Sequence, residues 1–304
     1  MNILLTGASG QLGQELLPLL SQLGTVTTVD RNVSLPLTPD RLKMDLGDLN
    51  QVEILLNRLC PDLVVNAAAF TAVDRAEDDS PPAFRLNADL PGCIARWASR
   101  NESFLFHYST DYVFDGQSDQ PYKEADETFP LNVYGDSKRA GEWAIAASNC
   151  RHIILRSSWV YSAHGNNFVL NMLRLAREHP ELSIVDDQVG CPTWARNLAR
   201  VSSEVTGHLL KDKADSKNDG LYHYCDSTVS SWYDFARTIF HTAVVLGLLD
   251  EMPVTHPVKS TNYSQVAQRP LFSVLDTSAI QNTFGVESAG LYESLVLCLE
   301  EYRQ

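Results

Sequence analysis

Short apolar runs alternate with stretches of helical period through the first half of the chain. Asn2–Leu5 reads as a buried strand, and Gln11–Leu23 as a helix with Leu12, Leu16, Leu19, Leu20 and Leu23 along one stripe. Thr25–Val29, Leu63–Val65, Phe104–Tyr108 and His152–Leu155 repeat the strand pattern, while Val52–Leu59, Pro82–Ser99 and Tyr134–Ala147 carry the helical one. Such alternation predicts an α/β fold: a Rossmann-like, doubly wound parallel sheet covered by helices on both faces. The second half is less regular. Helices are expected at Asn167–Glu178, ended by Pro180, at Ala195–Leu210, at Ser231–Leu248 and at Tyr292–Tyr302. Ser230 or Ser231 is a candidate cap for the third of these. Lys211–Gly220 is polar and reads as an exposed loop.

With 304 residues the chain is long enough for one large domain or for two lobes around one cleft. A formal net charge of −14 repels phosphate backbones and argues against nucleic acid as a partner. An anionic substrate then needs a local positive patch, for which Arg156, Arg174, Arg177, Arg196, Lys259 and Arg269 are candidates. Six cysteines lie far apart without metal-ligand spacing, so they read as reduced thiols rather than a disulfide framework or a zinc site. No apolar run approaches the length of a membrane span and no targeting segment is visible, which predicts a cytoplasmic protein with no membrane partner.

Chemistry enters first at Thr6-Gly7-Ala8-Ser9-Gly10-Gln11-Leu12-Gly13, where three glycines fall between an expected strand and an expected helix. Gly7, Gly10 and Gly13 suit a tight turn, a close approach of backbone to pyrophosphate, and close helix–sheet packing. The amides of the following helix N-terminus favour phosphate. Asp30 closes the second strand, where a carboxylate binds adenine-ribose hydroxyls. Arg31 follows it and suits a 2′-phosphate, or else is a solvated loop residue, so NADH and NADPH both stay open. Asp45-Leu46 is an acid–apolar pair placed to meet the adenine ring. Asn66-Ala67-Ala68-Ala69 offers small side chains beside a cofactor, or equally a tightly packed strand end. Asn87, inside a helix, suggests a structural hydrogen bond. On this basis residues 1–155 form a dinucleotide-binding lobe. Residues 156–304 are mainly a smaller substrate-binding lobe, with some segments returning to the first sheet.

Tyr134-Gly135-Asp136-Ser137-Lys138 places a phenol and an ammonium on one helix face. The charge is expected to lower the tyrosine pKa and ready it to give a proton to a carbonyl oxygen. Taken alone the spacing is weak, and an aromatic ring packed on a lysine stem explains it as well. Ser109 and Thr110 end the fourth strand, where such sheets place ligands, and either hydroxyl can polarise a carbonyl. Glu142, one further turn along, is a partner for Lys138 or a solvated residue.

Together these segments resemble the extended short-chain dehydrogenase/reductase superfamily. Val65–Asp74 with Ala76-Glu77, His107–Phe114, Pro130–Gly135, Arg156–Tyr161 and Gly165–Phe168 narrow this to the dTDP-4-dehydrorhamnose reductase family, over residue 1 to about Arg269-Pro270. The resemblance implies NAD(P)H-dependent reduction of the C4 ketone of dTDP-4-dehydro-L-rhamnose. It makes Tyr134 the proton donor, Lys138 its activator and Thr110 the third catalytic residue. Asp111, Tyr112 and Trp159 match sugar-nucleotide contacts, and Arg269 a pyrophosphate partner. Gln11, Leu12, Asp30, Asp45, Leu46, Ala67, Ala68, Ala69 and Thr71 match cofactor positions. Asp186-Asp187-Gln188 also fits the family pattern. Some members form homodimers through magnesium held by acidic side chains, which this sequence does not locate. Related 4,6-dehydratases carry a glutamate base where this chain has Tyr112. A phenol of reference pKa about 10 is a poor base near neutrality, which disfavours elimination. Two alternatives share the pattern. One is a non-catalytic subunit like the methionine adenosyltransferase beta subunit, which Thr110, Trp159 and Gly165–Phe168 fit less well. The other is an enzyme acting on a different nucleotide sugar.

Overall fold

The computed structural model describes residues 1–31, 40–211, 216–263 and 265–303. Its first half runs β1 (Asn2–Thr6), α1 (Gln11–Leu20), β2 (Thr25–Asp30), β3 (Arg41–Lys43), α2 (Leu49–Leu59) and β4 (Leu63–Asn66). It continues with α3 (Val73–Asp78), α4 (Ser80–Phe84), α5 (Leu90–Arg100), β5 (Phe104–Thr110), α6 (Val133–Ala146) and β6 (Arg151–Ser157). Successive strand residues point to opposite faces. Ile3, Leu5, Phe106 and Ile153 therefore enter one core with Leu16 and Leu20 of α1, while Leu4, Leu105 and Ile154 enter the other with Val52 of α2, Trp97 of α5 and Ile145 of α6. The expected two-faced parallel sheet follows directly from these uninterrupted apolar strands.

The second half adds β7 (Val160–Tyr161), α7 (Phe168–Glu178), β8 (Glu181–Val185), β9 (Val189–Gly190), β10 (Thr193–Trp194) and α8 (Ala195–Lys211). Then come β11 (Gly220–His223), β12 (Ser230–Ser231), α9 (Trp232–Val245), β13 (Val254–Val258), α10 (Ser278–Phe284) and α11 (Leu291–Arg303). The main sheet has the order β11-β6-β5-β4-β1-β2-β3, all parallel. Strand order reverses between β1 and β4, and the carboxyl ends of those strands are where such sheets open a ligand crevice. Residues 220–223 pair with β6, and Leu198, Val201 and Val205 of α8 pack into the core beside α1. A separate core gathers α7, α9 and α11 around Tyr161, Phe235, Phe240 and Leu295.

Several local readings change. The expected helix over Pro82–Ser99 is α4 and α5 joined through a π turn, Arg85–Asp89. Pro91 has no N–H to give the carbonyl of Asn87, its i−4 partner, so the helix widens there. Lys211 closes α8 and Gly220 opens β11, so only residues 216–219 of the expected loop are described without an element; 212–215 lie outside the described residues. Ser231, not Ser230, caps α9, accepting from the Asp234 amide at 3.0 Å. The edge strand β3 escaped notice because Arg41-Leu42-Lys43 has no apolar run.

One buried ion pair fastens α6 to the sheet. Glu142 meets Arg156 of β6 at 2.7 and 2.9 Å, both side chains almost without exposure. Glu142 is therefore not solvated; its charge still acts on Lys138, without a hydrogen bond to it, and the pair removes Arg156 from the free cations. Glu142→Ala leaves the guanidinium buried without its partner, which is expected to cost roughly 3–5 kcal/mol in a denaturation titration. A variant as stable as the parent would show that the pair does not hold α6.

Candidate active site

A cleft of about 550 Å³ opens at the reversal point of the sheet. Its floor is the glycine loop between β1 and α1. Gly7 lies at φ +69°, and a Cβ there would come within 2.7 Å of the Ala68 amide. Gly13 packs so closely that a Cβ would sit 2.1 Å from the Gly7 carbonyl. Gly10, Gln11, Leu12, Asp45, Leu46, Ala67, Ala68, Ala69 and Thr71 line the same cleft. Asp30 accepts from the Ser9 amide at 2.8 Å and the Ser9 hydroxyl at 2.6 Å, and Arg31 stands exposed at the rim. Buried polar atoms of the lining, Gln11 Oε1, Ser109 Oγ and Ser157 Oγ, have no hydrogen-bond partner among the described residues. Atoms of this kind mark places where a ligand completes the bonding. Shape, donors and orphaned atoms together fit a dinucleotide.

The reactive groups face this cleft from β5 and α6. Asn132 caps α6, accepting from the Gly135 amide at 2.8 Å, and Glu77 accepts from the Val133 amide at 2.7 Å. Tyr134 therefore stands in the first helical turn, where the helix dipole favours a developing phenolate. Lys138 follows one turn on, buried, with its Nζ donating to the Tyr108 carbonyl and facing His107 Nε2 at 3.4 Å. Thr110 donates to Asp111 Oδ1 at 3.0 Å and accepts from the Tyr112 amide at 3.2 Å. The Tyr112 and Tyr134 rings meet edge to face at 6.0 Å.

The charge states differ from the sequence expectation. Burial pushes Tyr134 up to about 12; its hydrogen bond with Thr110 pulls the other way and the Asp111 charge adds to the rise. The Lys138 ammonium is turned onto β5, where it donates to the Tyr108 carbonyl. Burial lowers Lys138 to about 8, partly opposed by the charge of Glu142. Burial raises Asp111 to about 6, against hydrogen bonds from Ser273, Thr110 and Ser158. The phenol is thus held with its proton on, as a donor requires. His107 is kept neutral by burial and by the Lys138 charge; its Nδ1 meets the Asn66 amide nitrogen at 3.0 Å and its Nε2 faces the ammonium at 3.4 Å.

A family model described as RmlD substrate binding domain matches residues 1–304. This chain belongs to that family. A dTDP-4-dehydrorhamnose reductase of Escherichia coli K12 is 41% identical over 288 residues, covering 94% of this chain and 93% of its own length. One from Burkholderia thailandensis is 38% identical over 304 residues, 99% of each. The crystal structure of one from Bacillus anthracis in complex with NADP is 30% identical, covers 99% of both chains and superposes with a TM-score of 0.84. The family's α/β fold, with its mostly parallel sheet, is the one described above.

Every residue the sequence singled out for the cofactor lines the cleft, as do Thr110, Asp111, Tyr134, Lys138 and Trp159. Tyr112 and Arg269 do not. Arg269 forks onto Asp74 at 2.7 and 3.2 Å, so its charge is engaged before any pyrophosphate arrives. Other members of the expected positive patch are engaged too: Arg174 with Glu178, Arg177 with the Leu248 carbonyl, and Arg196 with Glu15 and Glu301. An acidic surface favours such pairing over free cations. Of the second triplet, Asp186 accepts from Ser231 and Asp187 from Ser260, while Gln188 is buried. Sequence reading missed Asn132, Glu77 and His107. Asn132 was legible as a cap just before the helix; the other two meet the site only through tertiary packing. Asn87, expected to be structural, bonds Phe70 and Ser137 and so ties the π turn to α6.

Among the described residues magnesium finds no group free of another cation. Among the described residues Glu15, His164 and Glu301 come together with metal-ligand spacing. The Arg196 guanidinium already bridges the two carboxylates, at 2.8 Å from Glu15 and 2.6 Å from Glu301. Turnover is therefore expected to survive EDTA; activity lost to the chelator and restored by magnesium would reverse this. In a pH–rate profile of the free enzyme, kcat/KM is expected to fall as pH rises through about 8, where Lys138 loses its charge. A profile that stays level well above that value contradicts the role given to the ammonium.

Proposed function

We propose that the protein reduces the C4 ketone of dTDP-4-dehydro-L-rhamnose to the alcohol, using NAD(P)H. The observation that carries this is one cleft in which a proton-loaded Tyr134 stands beside Thr110 and over a buried Lys138, facing the glycine loop. When bound, the dihydronicotinamide supplies hydride. The chain's own residues do the rest. Amides at the start of α1 hold the phosphates, and the small side chains of Ala67, Ala68 and Ala69 let the backbone approach closely. Asp30 is already engaged by Ser9, which leaves Arg31 to read the ribose and favours NADPH.

The substrate oxygen lies within reach of Tyr134 and Thr110, and Tyr134 Oη gives it the proton. The resulting phenolate is stabilised by the Thr110 hydroxyl, by the first turn of α6 and by the Lys138 ammonium. Tyr112 stands where the dehydratases carry a glutamate base, which disfavours elimination. Residues 1–155 with β11 and α8 form the cofactor side in this reading, and the α7–α9–α11 core carries the substrate side. A homodimer belongs to the same proposal and rests on the resemblance; a cytoplasmic setting belongs to it too and rests on the sequence pattern.

Tyr134→Phe is expected to bind NADPH as the parent does while losing roughly 10²- to 10⁴-fold in kcat, the usual worth of a positioned acid. Steady-state assays with the dTDP-ketosugar, run with NADPH and NADH in parallel, check both the reaction and the preference. Retained turnover in the variant would sink the assignment.

A further inference from the structure

Trp159 stands in a backbone conformation that tryptophan rarely adopts, with φ +46°. The other described non-glycine residues with positive φ are Cys60, Glu102 and Asn149, which precede β4, β5 and β6 at the far end of the sheet. A left-handed residue at a ligand cleft persists only where its surroundings over-determine it. Two neighbours do so here. The Trp232 ring stacks on the Trp159 ring with centroids 3.5 Å apart and planes 4° from parallel. Gly190 provides the second: a Cβ on it would lie 2.6 Å from Cε2 and 2.7 Å from Nε1 of the Trp159 indole, so the ring fills the space of the missing side chain.

Both neighbours ride on one ribbon. Strands β9 and β12 pair with Ser230 opposite Gly190, and Trp232 follows directly as the first residue of α9. Phe168 of α7 closes on the Trp232 ring at 4.5 Å. The Trp159 carbonyl accepts from the Thr193 amide at 3.2 Å, so the next turn holds the backbone as well. Trp159 itself faces the cleft that holds Thr110 and Tyr134.

We propose that Trp232 and Gly190 are positioning residues that fix the Trp159 indole on the substrate side of the cleft and so set affinity for a nucleotide-linked deoxyketose. The inference rests on the reading of Trp159 as a substrate contact. A deoxysugar presents C–H groups and a methyl that pack on an aromatic surface. An indole already ordered by its neighbours loses no rotamer freedom when the sugar arrives.

Trp232→Ala, Trp232→Phe and Gly190→Ala test this. Trp232→Ala is expected to raise KM for the dTDP-ketosugar roughly 3- to 10-fold, as expected for ordering one large side chain, with kcat and the KM for NADPH little changed. Trp232→Phe keeps a ring and restores most of the affinity, and Gly190→Ala, whose methyl displaces the indole, weakens it. The exciton couplet of the stacked indoles in circular dichroism is expected in the parent and lost in Trp232→Ala. NADPH binding reports that each variant is folded; where Trp232→Ala fails this check, Gly190→Ala decides. Unchanged KM in a folded variant, or equal values for Trp232→Ala and Trp232→Phe, overturns the inference while leaving the reaction standing. A parent protein with no turnover of this sugar overturns the proposed reaction instead.

Discussion

A lysine ammonium buried beneath the cleft is the constraint on which the site depends. Lys138 is 3% exposed, and an ionised group out of water must find its partners inside the protein. It finds the Tyr108 carbonyl on β5, with the neutral ring of His107 beside it. That attachment fixes the depth of α6 against the sheet, and with it the place of Tyr134 one turn earlier. The Glu142–Arg156 pair repeats the fastening one turn later, onto β6. A helix held at two levels against two strands leaves the phenol little freedom except toward the cleft.

Burial explains why the phenol keeps its proton. It outweighs the groups that favour phenolate in the resting protein and raises the phenol. The proton stays on the oxygen that has to deliver it. Negative charge develops there only during the reaction, when the Thr110 hydroxyl, the start of α6 and the nearby ammonium are already in place. Preorganisation of this kind costs nothing at the moment of transfer, because packing set it when the chain folded.

The second half of the chain contributes through ribbons and clasps rather than a sheet of its own. Arg196 at the start of α8 joins Glu15 of α1 to Glu301 of α11, tying the C-terminal helix to the lobe that carries the glycine loop. Asp74 and Arg269 join α3 to a segment nearly 200 residues later beside Tyr112. Charges that look available in the sequence are used for these long closures, and the strongly acidic composition supplies the carboxylates.

By itself the sequence determined the periodic part of this protein. Buried parallel strands read as unbroken apolar runs and amphipathic helices as stripes, because each local period is the direct image of a face that must be buried. Glycines between a strand and a helix, and a phenol four residues before a lysine, are likewise local geometry. Only the tertiary structure decided where charge goes and what each side chain sees. Lys138 turning to β5, Arg269 to Asp74, Glu142 to Arg156 and Trp159 onto Trp232 are contacts between residues whose separation in the chain carries no signal. The widening of the helix at Asn87 lies between these cases, since Pro91 announces a missing donor but not the π turn that absorbs it. Pattern reports which face is buried, while the partner met there depends on how distant elements pack, and electrostatics acts only across that final distance.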